Sequence, residues 1–173
     1  KTNERKWHMK KIKIAYISTT GLDVFPLITA LKELETEKGD VAELYLRSKD
    51  DIRDPKAMDD FMRFAAGSDL TVLSLHGGKA ILESFDIIVA RLKDAKVPLY
   101  AQETSKPDPE LMSISTVGRD VHNSIFRYLA YGGKDNFKNL ILYSANQFLG
   151  TSYEFGEPKR PPWEGIYHPD LGY

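Results

Sequence analysis

The chain of 173 residues contains no cysteine. That absence removes disulfides, thiolate zinc sites, cysteine-ligated iron–sulfur clusters and a cysteine nucleophile, and it agrees with a cytoplasmic setting. Long apolar runs are also missing. No stretch approaches the ~20 residues that a membrane-spanning helix needs. Neither sign of charge is in excess: 24 Lys and Arg face 25 Asp and Glu. There is thus no global cationic field to gather nucleic acid or an anionic membrane, and small molecules and other proteins are the expected partners. The Rossmann glycine fingerprint and the Walker phosphate-binding pattern are both absent, which argues against a nucleotide site, so no cofactor is expected on this chain. We find no internal repeat and no low-complexity segment.

The opening KTNERKWHM is polar and aperiodic, without the apolar stretch of a secretory signal. His8-Met9 reads as a cloning junction with Met9 as the expected native start. Residues 1–9 are therefore set aside as a tail, 10–150 are read as one α/β domain, and 151–173 as an extended connector leading into a further body of protein.

Within 10–150 short apolar runs alternate with helical periodicity. KIKIAYIS (11–18) places Ile12, Ile14, Tyr16 and Ser18 on one face and Ala15 and Ile17 on the other, as in a central strand covered on both sides. Asp23 is placed to cap a helix carrying Val24, Leu27, Ile28, Leu31 and Leu34 at the 3.6 period, with Pro26 in its first turn and Gly39 at its end. VAELYLR (41–47) is a second strand. Asp54-Pro55 starts a helix with the stripe Met58, Phe61, Met62 and Ala65. DLTVLSL (69–75) is a buried strand, a helix over 80–94 turns Phe85, Ile88, Val89 and Leu92 inward, and KVPLYA (96–101) is a fourth strand entered at Pro98. An irregular stretch over 102–117 precedes helices near 118–131 and 135–149, the second capped by Asp135 and ended by Gly150. This alternation predicts a three-layer, doubly wound parallel sheet, flavodoxin-like or Rossmann-like, with strand order 2-1-3-4.

Ligands of open α/β sheets bind at the carboxyl ends of the strands, and that rule selects four segments. STTGLD (18–23) offers Ser18, Thr19 and Thr20 ahead of a helix N-terminus, either an anion cradle or a plain capping turn. RSKDD (47–51) follows the second strand. In HGGK (76–79), Gly77 and Gly78 allow close backbone approach, His76 can coordinate a metal or shuttle a proton, and Lys79 can pair with a carboxylate; a tight turn with a solvated lysine reads equally well. Gln102 and Glu103, with Thr104 after them, can hydrogen-bond a polar ligand or cap the next turn, and Glu103 is a weak metal-ligand or base candidate beside His76. No third ligand completes a metal site. His122, flanked by Arg119 and Asp120, is expected at the surface.

The close of the chain, PPWEGIYHPD (161–170), resembles the Gly-Ile-Tyr-His-Pro element of the large subunit of cobaltochelatase, a family that also includes the large H subunit of magnesium chelatase. YISTTGLDVFPL, LSLHGG, YAQETSKPDPEL and FRYLAYGG resemble the N-terminal region of the same family, in the same order. The resemblance implies ATP-dependent insertion of cobalt or magnesium into a tetrapyrrole or corrinoid, as in cobalamin biosynthesis, with separate AAA+ subunits handling ATP and Mg. It further implies that this chain is an N-terminal fragment of the macrocycle-binding subunit, a metal–nitrogen ligase, and inactive alone. In such a connector Trp163, Gly165, Ile166, Tyr167 and His168 form the joining motif, and the apolar Trp163, Ile166 and Tyr167 need a surface to dock against. Two other readings stay open. One is a free-standing flavodoxin-like binding module without catalysis; the other is a small enzyme using His76 and Glu103 as acid and base, which requires the two within one-water reach.

Overall fold

The computed structural model describes residues 10–104 and 106–160. Four parallel strands, β1 (Ile12–Ser18), β2 (Ala42–Ser48), β3 (Leu70–Leu75) and β4 (Leu99–Glu103), pair in the order β2-β1-β3-β4. The helices are α1 (Val24–Lys38), α2 (Pro55–Ala65), α3 (Phe85–Asp94), α4 (Pro109–Ile114), α5 (Arg119–Tyr131) and α6 (Lys134–Leu149). The expected sheet order is the observed one.

The two-residue period of β1 divides the core. Ile12, Ile14 and Tyr16 point into a cluster with Leu27, Ala30 and Leu34 of α1, Ile125 and Tyr128 of α5, and Phe137, Leu140 and Ile141 of α6. Ala15 and Ile17 point the other way, among Phe61, Met62 and Ala65 of α2 and Phe85, Ile88 and Leu92 of α3. Both faces of the sheet are thus covered, which is why Lys13 is the one charged residue that β1 and β3 carry.

Local chemistry sets several element ends. The Asp54 carboxylate accepts from Ala57 N–H at 2.8 Å, the N-cap the Asp-Pro pair promised. Gly150 ends α6 in the left-handed conformation, with φ 67° and ψ 29°. Other expectations are corrected. Asp135 lies inside α6 with Gly133 at the N-cap. Asp23 sits at the N-cap of α1 but its side chain bonds elsewhere. The helix expected over 80–94 is a 3-10 turn at Lys79–Ile81 followed by α3 from Phe85. The stretch expected to be irregular holds both the end of β4 and α4, whose N-cap Asp108 accepts from Glu110 and Leu111 N–H. Ile28, expected inward, is 38% exposed, because Ala30 takes the place against the sheet. His122 is 1% exposed, not at the surface: its ring packs on Tyr100 with centroids 4.7 Å apart.

Residues 151–160 have no regular structure, yet they are tied to α6 by a row of asparagines. Asn146 holds both main-chain groups of Tyr153, donating to its carbonyl and accepting from its N–H, each at 2.8 Å. Asn136 does the same to Lys159, each at 2.9 Å. Between them Asn139 accepts from Gly156 N–H at 2.7 Å, and Tyr128 Oη donates to the Gly156 carbonyl at 2.8 Å. A carboxamide offers one donor and one acceptor side by side, so these residues act on the connector as a strand edge would. Phe155 meets the ring of Tyr143 edge-on. Trp163, Gly165, Ile166, Tyr167 and His168 lie outside the described residues.

Candidate functional site

Strand order reverses between β1 and β3, since β2 lies outside one and β4 outside the other. The crevice at the carboxyl ends of these two strands is the switch point where such folds place ligands. Here the structure brings most of the sequence candidates together.

Beneath the edge lies a network the sequence reading missed. One carboxylate oxygen of Asp23 accepts from Tyr16 Oη at 2.6 Å and Ser74 Oγ at 2.8 Å, with Ser18 Oγ at 3.5 Å. Burial, and then the Asp23 charge, hold the Tyr16 phenol well above its ordinary value, so it remains a donor. The network fastens the loop after β1 to β3. A signal was present: Ser74 interrupts the apolar run of β3, and Asp23 follows Ser18 at turn distance.

Thr19 crosses the switch point. Its N–H donates to the Ser74 carbonyl at 3.1 Å, and its hydroxyl accepts from His76 N–H at 2.7 Å. Ser18 Oγ accepts from Gly21 N–H and Thr20 Oγ1 from Leu22 N–H. Ser18 and Thr19 are thus committed within the fold, whereas Thr20 lies exposed at the rim.

His76 and Glu103 stand together. The His76 Nδ1 is 3.2 Å from Thr104 Oγ1 and 3.6 Å from Glu103 Oε1; the Glu103 side chain is 6% exposed against 59% for the imidazole. Thr104 Oγ1 donates in turn toward Glu103 Oε1 at 3.4 Å. The hydroxyl and the buried carboxylate hold Nδ1 on the inward side of the exposed ring and so orient it. Gly77 and Gly78 follow with φ of 97° and 76°, backbone that side chains resist, and a Cβ on Gly78 would meet nothing within 4 Å.

The remaining candidates serve neighbouring loops. Lys79 is paired with Glu110, which raises the ammonium above its ordinary value. Gln102, 2% exposed, accepts from Glu103 and Asp108 N–H, each at 2.9 Å, and so shapes the turn between β4 and α4. In the loop after β2, Asp51 accepts from Ser48 N–H and Oγ, closing the turn on itself. Among the described residues no group of three or more His, Asp or Glu is placed to enclose a metal ion. A cavity of about 880 Å³ lies elsewhere, between the end of α1, the start of α6 and the connector, and includes Tyr131, Leu142 and Phe155 in its lining. Its walls are the strapped connector itself, so it belongs to that junction and not to the strand ends.

Residues 126–173 match the family model described as CobN/Magnesium Chelatase. An uncharacterized protein of Methanocaldococcus jannaschii is 32% identical over 159 residues, which cover 91% of this chain and 12% of the relative. The aerobic cobaltochelatase subunit CobN of Pseudomonas aeruginosa is 28% identical over 99 residues, 57% of this chain and 8% of that one. The catalytic subunit of cobaltochelatase from Mycobacterium tuberculosis shares the fold with a TM-score of 0.65 at 21% identity, over 88% of this chain and 12% of that chain. The chain therefore spans about an eighth or less of the length of these relatives. The matched segment runs from α5 through the connector and the aligned relatives cover the α/β domain, so the chain is similar over most of its length to CobN/magnesium chelatase family subunits.

Proposed function

We propose that this chain is the N-terminal α/β part of the large, macrocycle-binding subunit of a cobaltochelatase-type enzyme, which inserts cobalt or magnesium into a tetrapyrrole at the expense of ATP. The observation that carries the reading is the joint match of the α/β domain and of residues 126–173 to large chelatase subunits. Insertion requires that two pyrrole nitrogens lose protons and that the ion sheds water, so a base, a shaped site and an energy source each have a place. The absence of a phosphate-binding motif in this sequence agrees with ATP and its Mg being handled by AAA+ partner subunits, and no helix of the described residues is long and apolar enough to cross a membrane. In this account the asparagine-strapped connector fixes the α/β domain relative to the protein that follows it, and the β1/β3 edge faces the reaction partners. We place the complex in the cytoplasm.

The test is reconstitution. The full-length large subunit, its candidate ATPase partners, a metal-free tetrapyrrole and Co2+ or Mg2+ are combined, and the absorption spectrum of the ring is followed. ATP-dependent metalation is the expected result; no metalation with either ion under conditions where the subunits assemble would overturn the proposal.

A further inference from the structure

We propose that the cavity beside the start of α6 is the seat of Trp163, which fastens the closing PPWEGIYHPD element of the chain onto the α5–α6 turn. Such a seat is a property of the fold itself, so it holds or fails independently of the chelatase reading.

The straps on α6 set the path. Asn146 holds Tyr153, Asn139 holds Gly156 and Asn136 holds Lys159, so the connector runs antiparallel to α6 and toward the start of that helix. Pro158 is buried against the domain, and Lys159 and Arg160 line the cavity with Gly132 and Gly133 of the α5–α6 turn. Trp163 stands three residues beyond Arg160, a reach of at most ~11 Å for an extended chain. The intervening Pro161 and Pro162 favour that extended geometry and leave the chain few other conformations. Another exposed apolar pair, Leu22 and Phe25, lies at the head of α1, ~20 Å along the helix axis from the cavity residue Lys38 and beyond that reach.

The cavity suits an aromatic residue. At about 880 Å³ it falls within the ~300–1,000 Å³ of sites that enclose a small ligand, and Tyr131, Leu142 and Phe155 give it an apolar wall. Phe155 rests edge-on against Tyr143 yet is 37% exposed, so part of its ring is left uncovered. A tryptophan brings ~150–250 Å² of surface to such a wall, with an indole N–H that tolerates a polar rim. Charge is complementary as well. Basic residues outnumber acidic ones in the lining, and Lys38 and Lys159 join no ion pair among the described residues. Residues 161–173 carry Glu164 and Asp170 and no Lys or Arg.

Wall and occupant also share one matched block: residues 126–173 hold Tyr131, Leu142 and Phe155 together with Trp163. The straps and the motif then act as one device. The asparagines align the connector backbone along α6, the indole locks its far end, and the chain beyond leaves the domain in a set direction.

The experiment is NMR on the chain carrying W7F, which leaves Trp163 as its one tryptophan. Nuclear Overhauser contacts from the Trp163 ring to Tyr131, Leu142 and Phe155 are expected and should persist on dilution. A mixture of labelled and unlabelled chains should show no such contact between molecules. In fluorescence the same indole should be shielded from acrylamide, and F155A should expose it. W163A should shift the amides of Gly133, Leu142 and Phe155 and speed exchange at Lys159 by about tenfold or more, with the β1 and β3 signals unchanged, and W163F should restore most of that protection. Absence of the contacts from Trp163, contacts found only between molecules, or W163A shifts centred on Leu22 and Phe25 would each overturn the proposal. Metalation by the reconstituted complex does not read this seat, so the seat and the chelatase reading can fail separately.

Discussion

Truncating Asn146 to Ala should release the front of the connector without unfolding the domain. Asn146 makes three bonds to this segment, to the Tyr153 carbonyl and N–H at 2.8 Å each and from Thr151 Oγ1 at 2.7 Å. At about 1 kcal/mol net per bond, the substitution costs roughly 3 kcal/mol. The loss is local, since Asn139, Asn136 and Tyr128 still hold Gly156 and Lys159. With each ~1.4 kcal/mol worth tenfold, the Tyr153 amide should exchange with solvent about 100-fold faster. Amides of β1 and β3 should keep their rates. Asn146→Asp gives an internal scale, because it keeps the acceptor and loses the donor and so should fall between wild type and Ala. Unchanged protection at Tyr153, or equal acceleration in the sheet, would refute the argument that carboxamides stand in for a strand edge.

Tyr16→Phe removes a donor held 2.6 Å from the Asp23 carboxylate and should cost about 2 kcal/mol, a fall in Tm of roughly 4–8 °C by calorimetry. Leu34→Ala, at a fully buried position of α1, should cost about 2–5 kcal/mol in denaturant unfolding; a loss under 1 kcal/mol would mean that α1 does not pack as described. Burial lowers the His122 pKa below its ordinary 6.5, so the folded state prefers the neutral ring. Its contribution is therefore complete above the unfolded value and is lost as pH falls below about 6.5 toward the lowered folded pKa, where the unfolded chain takes up the proton first. His122→Phe should flatten that part of the stability–pH curve, and an unchanged slope would remove His122 as its source.

The fold was legible because both faces of the sheet are covered. β1 and β3 read as apolar runs, α2 and α3 showed their stripes, and the order β2-β1-β3-β4 followed from the short right-handed connections that parallel strands demand. The misses have a common cause. Asp23, Asp135 and His122 were assigned by local rules for caps and surface polarity, while the fold uses Asp23 for a tertiary network and buries His122 against Tyr100. The asparagines of α6 were invisible for the same reason: spaced along one helix they look like solvated positions, and only the path of the connector gives them partners. At the switch point the candidate residues could be selected, since edge position follows from strand direction. Their division of labour could not, because it depends on distances such as the 3.6 Å between His76 and Glu103.

The central claim is that the β1/β3 edge serves a metal-inserting enzyme, and the most direct measurement is the rate of ATP-dependent Co2+ insertion by the reconstituted complex with His76→Ala in the full-length large subunit. His76 is more than half exposed, so the fold should persist and circular dichroism should be unchanged. The account predicts that insertion slows by tenfold or more at limiting Co2+, as loss of a polar group at the working edge requires. Insertion at the wild-type rate at limiting Co2+ would contradict it.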